Sequence, residues 1–132
     1  GVVVGSPLQQ GALARKYAEA VADPRVYWLS PARREQLRKL YALVDECGMT
    51  LPELALRFVI SNPDVDTVLM GARSAEEVEH NVAAVERGPL PKALLKRLDA
   101  IAAMVPCRPY SEPFGIGWLL GTPLNYRGPG MA

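Results

Sequence analysis

Thr67-Val68-Leu69-Met70-Gly71-Ala72-Arg73-Ser74-Ala75-Glu76-Glu77-Val78-Glu79-His80-Asn81 reads as the end of a buried strand, a tight glycine turn and the first turns of a helix. The apolar run at 67–70 supplies the strand, and Val78, Val82 and Val85 recur on one face of the helix that follows Ser74. This order places unpaired helix-start amides next to an arginine, a seat suited to a phosphate. Ser74 and Glu77 also have the spacing of a capping box, so the carboxylate has a structural explanation beside the functional one.

Working outward, Val2-Val3-Val4 is a second short β-branched run that ends at Gly5-Ser6-Pro7, as a strand entering a loop would. The connection that follows, about 25 residues with Gly11, Tyr17, Pro24, Tyr27 and Trp28, is long enough to suggest a binding or lid segment. Ser30-Pro31 then starts a helix with a hydroxyl cap and proline in its first turn. Leu37, Leu40, Tyr41, Val44 and Cys47 line one side of that helix, and Gly48 ends it. Thr50-Leu51-Pro52-Glu53 has the form of a capping box, opening a helix with Leu51, Leu54, Ala55, Phe58 and Val59 as its buried face until Asn62-Pro63. Pro91 starts a last helix with Leu94, Leu98, Ile101 and Val105 spaced to bury one side. Beyond Val105 periodicity is lost. The segment 106–132 interleaves five prolines (Pro106, Pro109, Pro113, Pro123 and Pro129) with Tyr110, Phe114, Trp118 and Tyr126, and it reads as an irregular tail packed over a larger body.

Strands alternating with helices point to a parallel α/β arrangement. Two short strands, apolar on both faces, cannot cover one another, so this chain is expected to be a piece of a larger sheet or barrel. The opening on Gly1, directly inside a strand, agrees with that expectation. Residues 1–105 form the expected barrel part and 106–132 the tail.

Composition narrows the function classes. With 132 residues, 49% apolar and 22% charged, the chain has enough apolar material for one core. A net charge of +1 gives no reason to expect nucleic acid or an acidic membrane as partner. No apolar run approaches the roughly 20 residues that span a bilayer, and the N-terminus has no signal-peptide pattern. Cys47 and Cys107, with the lone His80, do not make a metal site. They read as reduced thiols of a cytoplasmic protein.

Three segments together resemble the aldo-keto reductases. Gly5-Ser6-Pro7-Leu8-Gln9-Gln10-Gly11-Ala12-Leu13 is similar to the "SPLxxGxL" segment after that family's seventh strand. Leu51-Pro52-Glu53-Leu54-Ala55-Leu56-Arg57-Phe58 resembles its "TPAQLALRW"-type helix. Gly71-Ala72-Arg73-Ser74, with Glu77 and Asn81, resembles its "GARSxxQxxxN" segment after the eighth strand, and order and spacing match over roughly residues 1–103.

The resemblance implies a (β/α)8 barrel, of which this chain is the C-terminal part: the last two βα units, a C-terminal helix and the tail. It implies a cofactor lying across the C-terminal strand ends. On that basis Ser6, Leu8 and Gly11 face the cofactor pyrophosphate and Lys16 stands where a basic residue supports the phosphate. Gly71 and Ala72 form the second loop, Arg73 faces the adenosine ribose and its 2′-phosphate, and Asn81 meets the adenine edge. Read from the residues alone, Ser6-Pro7 is equally a plain turn and Arg73 a solvated turn residue. Two positions depart from the pattern: Glu77 stands where Gln or Arg is common, and His80 where Glu or Gln is common. NADP is the implied cofactor, but a carboxylate beside a 2′-phosphate repels it, which weakens that case and leaves NAD open.

The family's catalytic Tyr, Lys, Asp and His all come from the first half of the barrel, and no residue here matches them. Tyr17, Tyr27, Tyr110 and Tyr126 are read as loop aromatics that line a substrate pocket or pack. The expected parent is therefore an NAD(P)-dependent oxidoreductase acting on a small-molecule carbonyl or alcohol, and the isolated chain is expected to be inactive. Two other classes stand beside it: a non-enzymatic cofactor-binding subunit, sensor or channel-associated, and a structural remnant that self-associates to cover its strands.

Overall fold

A computed structural model describes residues 1–9, 11–26 and 29–105. Its elements in chain order are β1 (Val3–Gly5), α1 (Ala18–Ala22), α2 (Pro31–Cys47), α3 (Leu51–Ile60), β2 (Thr67–Leu69), α4 (Ala75–Glu86) and α5 (Lys92–Ala102). The tail 106–132, with Cys107 and the aromatics assigned to it, lies outside the described residues, as do Tyr27 and Trp28.

Helix boundaries follow local chemistry. Ser30 sits in extended backbone and its hydroxyl accepts the Arg33 N–H at 3.1 Å, while Pro31 occupies the first helical position of α2. At the other end Gly48 adopts φ +63°. Its N–H reaches the Asp45 carbonyl and the Met49 N–H reaches that of Val44, a Schellman closure that L side chains enter with strain. Thr50 caps α3 through Glu53 N–H at 3.2 Å, and Ser74 caps α4 through Glu77 N–H at 3.2 Å. The Thr50 box closes on one side only, because the Glu53 carboxylate turns to Arg57 (3.1 Å) and Arg87 (2.7 Å).

The core is helical. Tyr41, Leu43 and Val44 of α2, Leu51 and Leu54 of α3, and Leu94 and Leu98 of α5 bury together with Val21, Leu29 and Leu90. Cys47 is partly buried against this cluster, as its place on the apolar face of α2 predicted. α4 packs on α3 through Ala84, whose small side chain is fully enclosed and permits close approach.

β1 and β2 form a two-stranded parallel sheet, in register Val3↔Thr67, Val4↔Val68 and Gly5↔Leu69. The sheet lies outside the helical core. Val3 is 59% and Leu69 60% exposed, which corrects the expectation of buried strands: Val4 and Val68 are half-buried, and among the described residues nothing covers the face of Val3 and Leu69. The apolar pattern correctly marks strands that require neighbours, and those neighbours are absent from this chain's described residues.

Two further expectations are corrected. The connection after β1 is not structureless: successive turns bridge Ser6 to Ala14, and α1 follows. Arg34, buried, donates to the carbonyls of Ala20, Val21 and Val26, and Arg38 donates to Val21, so two side chains of α2 order this segment from a distance. Phe58 is exposed and Leu56 is buried instead, because α3 meets the core with Leu51 and Leu54 and meets α4 with Leu56. Val78, Val82 and Val85 share a face of α4 as expected and each is about half exposed, 50%, 51% and 49%, with Val82 and Val85 lining a groove beside Leu56 and Met70. Periodicity identifies a face; only a partner buries it.

Candidate functional site

The parallel register sets the site. Gly5 pairs with Leu69, so both chains leave the sheet at the same edge, the C-terminal ends of adjacent strands. Neighbouring strands lie about 4.8 Å apart, which brings the Ser6-Pro7-Leu8 loop beside the Gly71-Ala72-Arg73 loop. Segments 65 residues apart in sequence, Ser6 and Gly71, thereby share one rim. Open α/β sheets bind ligands outside the carboxyl ends of their strands.

The first loop is tightly wound. Ser6 and Gln9 hold φ +54° and +48°, left-handed conformations that each cost of order 1–2 kcal/mol in an L residue. Gln9 N–H reaches the Ser6 carbonyl at 2.8 Å, while Gly11 and Leu13 N–H both reach that of Leu8 at 3.1 Å. Gly11 takes φ +89°, where glycine is required. Its carbonyl accepts the Tyr17 hydroxyl at 3.1 Å, and Tyr17 N–H in turn donates to the Tyr41 hydroxyl at 3.0 Å. Burial pushes the Tyr41 phenol pKa upward, so the ring stays neutral in this role. Tyr17, read from the sequence as a loop aromatic that packs or lines a pocket, is thus the pin that ties the loop to α2. The signal was available in Tyr41, a polar-tipped ring on an otherwise aliphatic helix face, since a buried tyrosine hydroxyl seeks a partner.

Ser6 is exposed at the rim, and Leu8 and Gly11 are half-buried in the loop. Lys16 is partly buried and engaged by α2: its ammonium pairs with the Asp45 carboxylate, donates to the Tyr41 carbonyl and lies 5.8 Å from the Tyr41 ring centroid. The structure therefore gives Lys16 an anchoring partner and does not bring it to the rim loop of Gly71–Arg73.

Gly71, Ala72 and Arg73 are exposed. Gly71 does not have the positive φ of a tight glycine turn, correcting that expectation, and a Cβ there would meet nothing within 4 Å. Neither conformation nor packing within the described residues demands glycine at this position, which leaves open space on the rim.

At the start of α4, Glu77 closes back on Arg73. One carboxylate oxygen accepts the Arg73 backbone N–H at 2.7 Å and the other accepts the guanidinium at 3.2 Å. The backbone bond, followed by the side-chain bond, holds the Glu77 carboxyl below the usual glutamate range. The Ser74–Glu77 box is thus real on the hydroxyl side, but its carboxylate reaches one residue further back than the capping pattern implies. Among the described residues the Ala75 and Glu76 N–H groups donate to no protein acceptor and remain exposed at the helix start. One helical turn beyond Glu77, Asn81 is half-buried in a groove with Leu56, Met70, Val82, Val85 and Glu86. His80 is exposed on the same helix.

The rim thus holds exposed amides, an exposed guanidinium and an unfilled glycine position, a donor set that fits a phosphate-bearing ligand. Among the described residues no group of three His, Cys, Asp or Glu side chains could hold a metal ion, and no helix is long and apolar enough to cross a membrane.

Comparison with known proteins agrees with this architecture. The model of the aldo/keto reductase family matches residues 1–103. The chain is 30% identical over 120 residues to a Schizosaccharomyces pombe protein named "Putative voltage-gated potassium channel subunit beta", covering 80% of this chain and 35% of that protein. It is 32% identical over 124 residues to an Arabidopsis thaliana protein named "Probable voltage-gated potassium channel subunit beta", covering 84% of this chain and 38% of that protein. The chain spans little more than a third of the length of either relative.

Proposed function

The chain belongs to the aldo/keto reductase family, whose members are oxidoreductases that generally bind a nicotinamide cofactor, and from that premise we propose that its rim is one side of a nicotinamide-dinucleotide clamp. One observation carries the reading: the parallel pairing of Gly5 with Leu69, which joins two sequence motifs into one strand-end surface. The family's barrel accounts for the open sheet face, with this chain as its C-terminal part. The missing N-terminal part of the barrel is then the partner that covers β1 and β2.

Within the clamp, the wound loop bearing Ser6, Leu8 and Gly11 lies against the pyrophosphate. Gly71 and Ala72 allow close approach of the backbone, and Arg73 faces the adenosine ribose, where NADP carries its 2′-phosphate and NAD a hydroxyl. Asn81 stands on the adenine side. The bound cofactor supplies hydride for interconversion of a small-molecule carbonyl and alcohol. This chain's residues hold and orient it. They offer no acid or base in the pattern the family uses, so the 132-residue chain alone is expected to show no carbonyl reduction.

Titration of the complete protein with NADP tests the clamp. Arg73→Ala is expected to weaken NADP about fivefold, the scale of one exposed charge-assisted contact. Gly71→Ala is expected to leave the unfolding midpoint in place while weakening the dinucleotide. Unchanged NADP affinity in Arg73→Ala removes the clamp assignment.

A second reading rests on the names of the relatives. A cofactor-binding subunit that associates with a channel, without turning over substrate, would use the same clamp. Catalysis by the complete protein separates the two.

A further inference from the structure

We propose that Tyr17 and Tyr41 are positioning residues of the first rim loop, acting in series to tie the Gly11 peptide to α2 and so preorganise the loop for a dinucleotide. The inference rests on the clamp reading and goes beyond it, because it gives a role to two side chains that themselves make no contact with the ligand.

The loop needs an external hold. Ser6 and Gln9 both occupy the left-handed region, at φ +54° and +48°, and Gly11 joins them at +89°. The loop's own bonds are short-range turns: Gln9 N–H to the Ser6 carbonyl, Gly11 and Leu13 N–H to that of Leu8, and Ala12 N–H to that of Gln9. At a water-exposed rim, each such bond exchanges with solvent and contributes little net stability to offset strained backbone. Gly11 has no side chain to restrict it, so the plane of its peptide is the easiest to turn.

The two tyrosines fix that plane from outside. The Gly11 carbonyl accepts the Ala14 N–H at 3.1 Å and the Tyr17 hydroxyl at 3.1 Å, which uses both of its lone pairs. Tyr17 is itself held: its N–H donates to the Tyr41 hydroxyl at 3.0 Å, and the Arg15 guanidinium lies 5.0 Å from its ring centroid. Tyr41 is buried in the middle of α2, a helix closed at both ends by Ser30 and Gly48, so its hydroxyl is a fixed point. One turn along α2, Asp45 takes the Lys16 ammonium, which also donates to the Tyr41 carbonyl at 3.3 Å. Two consecutive residues of the connection, Lys16 and Tyr17, thus dock on one stripe of α2. A loop held in one conformation before the ligand arrives spares binding the cost of ordering it. Through Gly11 that gain falls on the half of the rim assigned to the pyrophosphate.

The test measures NADPH binding to the complete protein by nicotinamide fluorescence, and 2′-AMP binding by competition with it. 2′-AMP carries the adenosine phosphate but no pyrophosphate, so it reports the second loop without the first. Wild type is compared with Tyr17→Phe, Tyr41→Phe, the double variant and Thr50→Ala, which removes the cap of α3 and lies outside the relay. Each phenylalanine variant is expected to weaken NADPH about three- to tenfold, the scale of one hydrogen bond, and to leave 2′-AMP within about twofold. Because the two bonds act in series, the double variant is expected to lose no more than the weaker single variant. Thr50→Ala is expected to leave both ligands within about twofold, which separates positioning from a general loss of stability. Wild-type NADPH affinity in both phenylalanine variants, or a parallel loss of 2′-AMP, overturns the inference while the clamp stands. Losses that multiply in the double variant overturn the series arrangement. If the wild type binds neither ligand, the clamp reading fails and takes this inference with it.

Discussion

Asp23 shows how much of this surface is organised by pairs of neighbouring charges. Arg25 approaches its carboxylate with Nη2 at 2.9 Å and Nε at 3.0 Å and adds its backbone N–H at 2.9 Å. The side-chain bonds first, and then the backbone bond, lower the Asp23 pKa to about 2. A carboxylate held below its unfolded value contributes stability above that unfolded pKa and loses the contribution as pH falls through the folded one. For Asp23 the loss is expected between the ordinary aspartate range and about pH 2. Carboxyl NMR titration should find a midpoint near that value, and Arg25→Ala should return it toward the ordinary range. An unchanged midpoint in Arg25→Ala would remove the pairing as its cause. Glu46 repeats the pattern at α2, where Arg97 of α5 grips both oxygens at 2.6 Å and lowers its pKa. These pairs are exposed, and their service is to place side chains more than to stabilise the fold.

At the level of elements, Arg57 is the residue to remove. It donates to the carbonyls of Gly88 (2.9 Å) and Pro89 (3.3 Å) and to Glu53, so one buried guanidinium clasps the turn after α4 onto α3. Arg57→Ala leaves two backbone carbonyls without their donor and the mostly buried Glu53 carboxylate with Arg87 alone, and is expected to cost about 2–4 kcal/mol. Ser30→Ala, which deletes the cap of α2, is expected to cost about 1 kcal/mol. Denaturant unfolding of the two variants should rank them in that order; equal midpoints would contradict the clasp. The caps at Ser30, Thr50 and Ser74 and the stop at Gly48 were legible in the sequence, because each rests on residues within four positions of one another. The clasp by Arg57, the carbonyl contacts of Arg34 and the Tyr17–Tyr41 pin were not legible. Each joins residues whose proximity arises only after the helices pack. The same division holds at the rim: the motifs at Ser6 and Gly71 were readable, whereas the turn of Lys16 toward Asp45 and the grip of Glu77 on the Arg73 backbone were not.

Over the whole molecule, apolar surface is divided between a helical core that is sealed and a sheet that is not. Leu54 and Val44 are the largest fully enclosed side chains, and both belong to helices. Leu54→Ala is expected to cost about 2–5 kcal/mol. The sheet contributes little burial of its own, with Val2, Val3, Leu69 and the valines of α4 open on its flank. Unpaired strand edges beside exposed valines are templates for association. The isolated chain is therefore expected to exceed the monomer mass in light scattering at micromolar concentration. A clean monomer would count against self-association as the way these strands are covered.

The separation of sheet from core also sets the order in which the molecule opens. Amides of α2 and α3, sealed among Tyr41, Leu43, Val44, Leu51 and Leu54, should exchange with solvent deuterium only through global unfolding. Those of β1 and β2, a two-stranded pair open on the face of Val3 and Leu69, should exchange through small local openings orders of magnitude sooner. Among the described residues, the rim that joins Ser6 to Arg73 is thus assembled on backbone expected to be weakly protected. Whatever fills that rim will announce itself as slowed exchange in β1 and β2 while the helices keep their own clock.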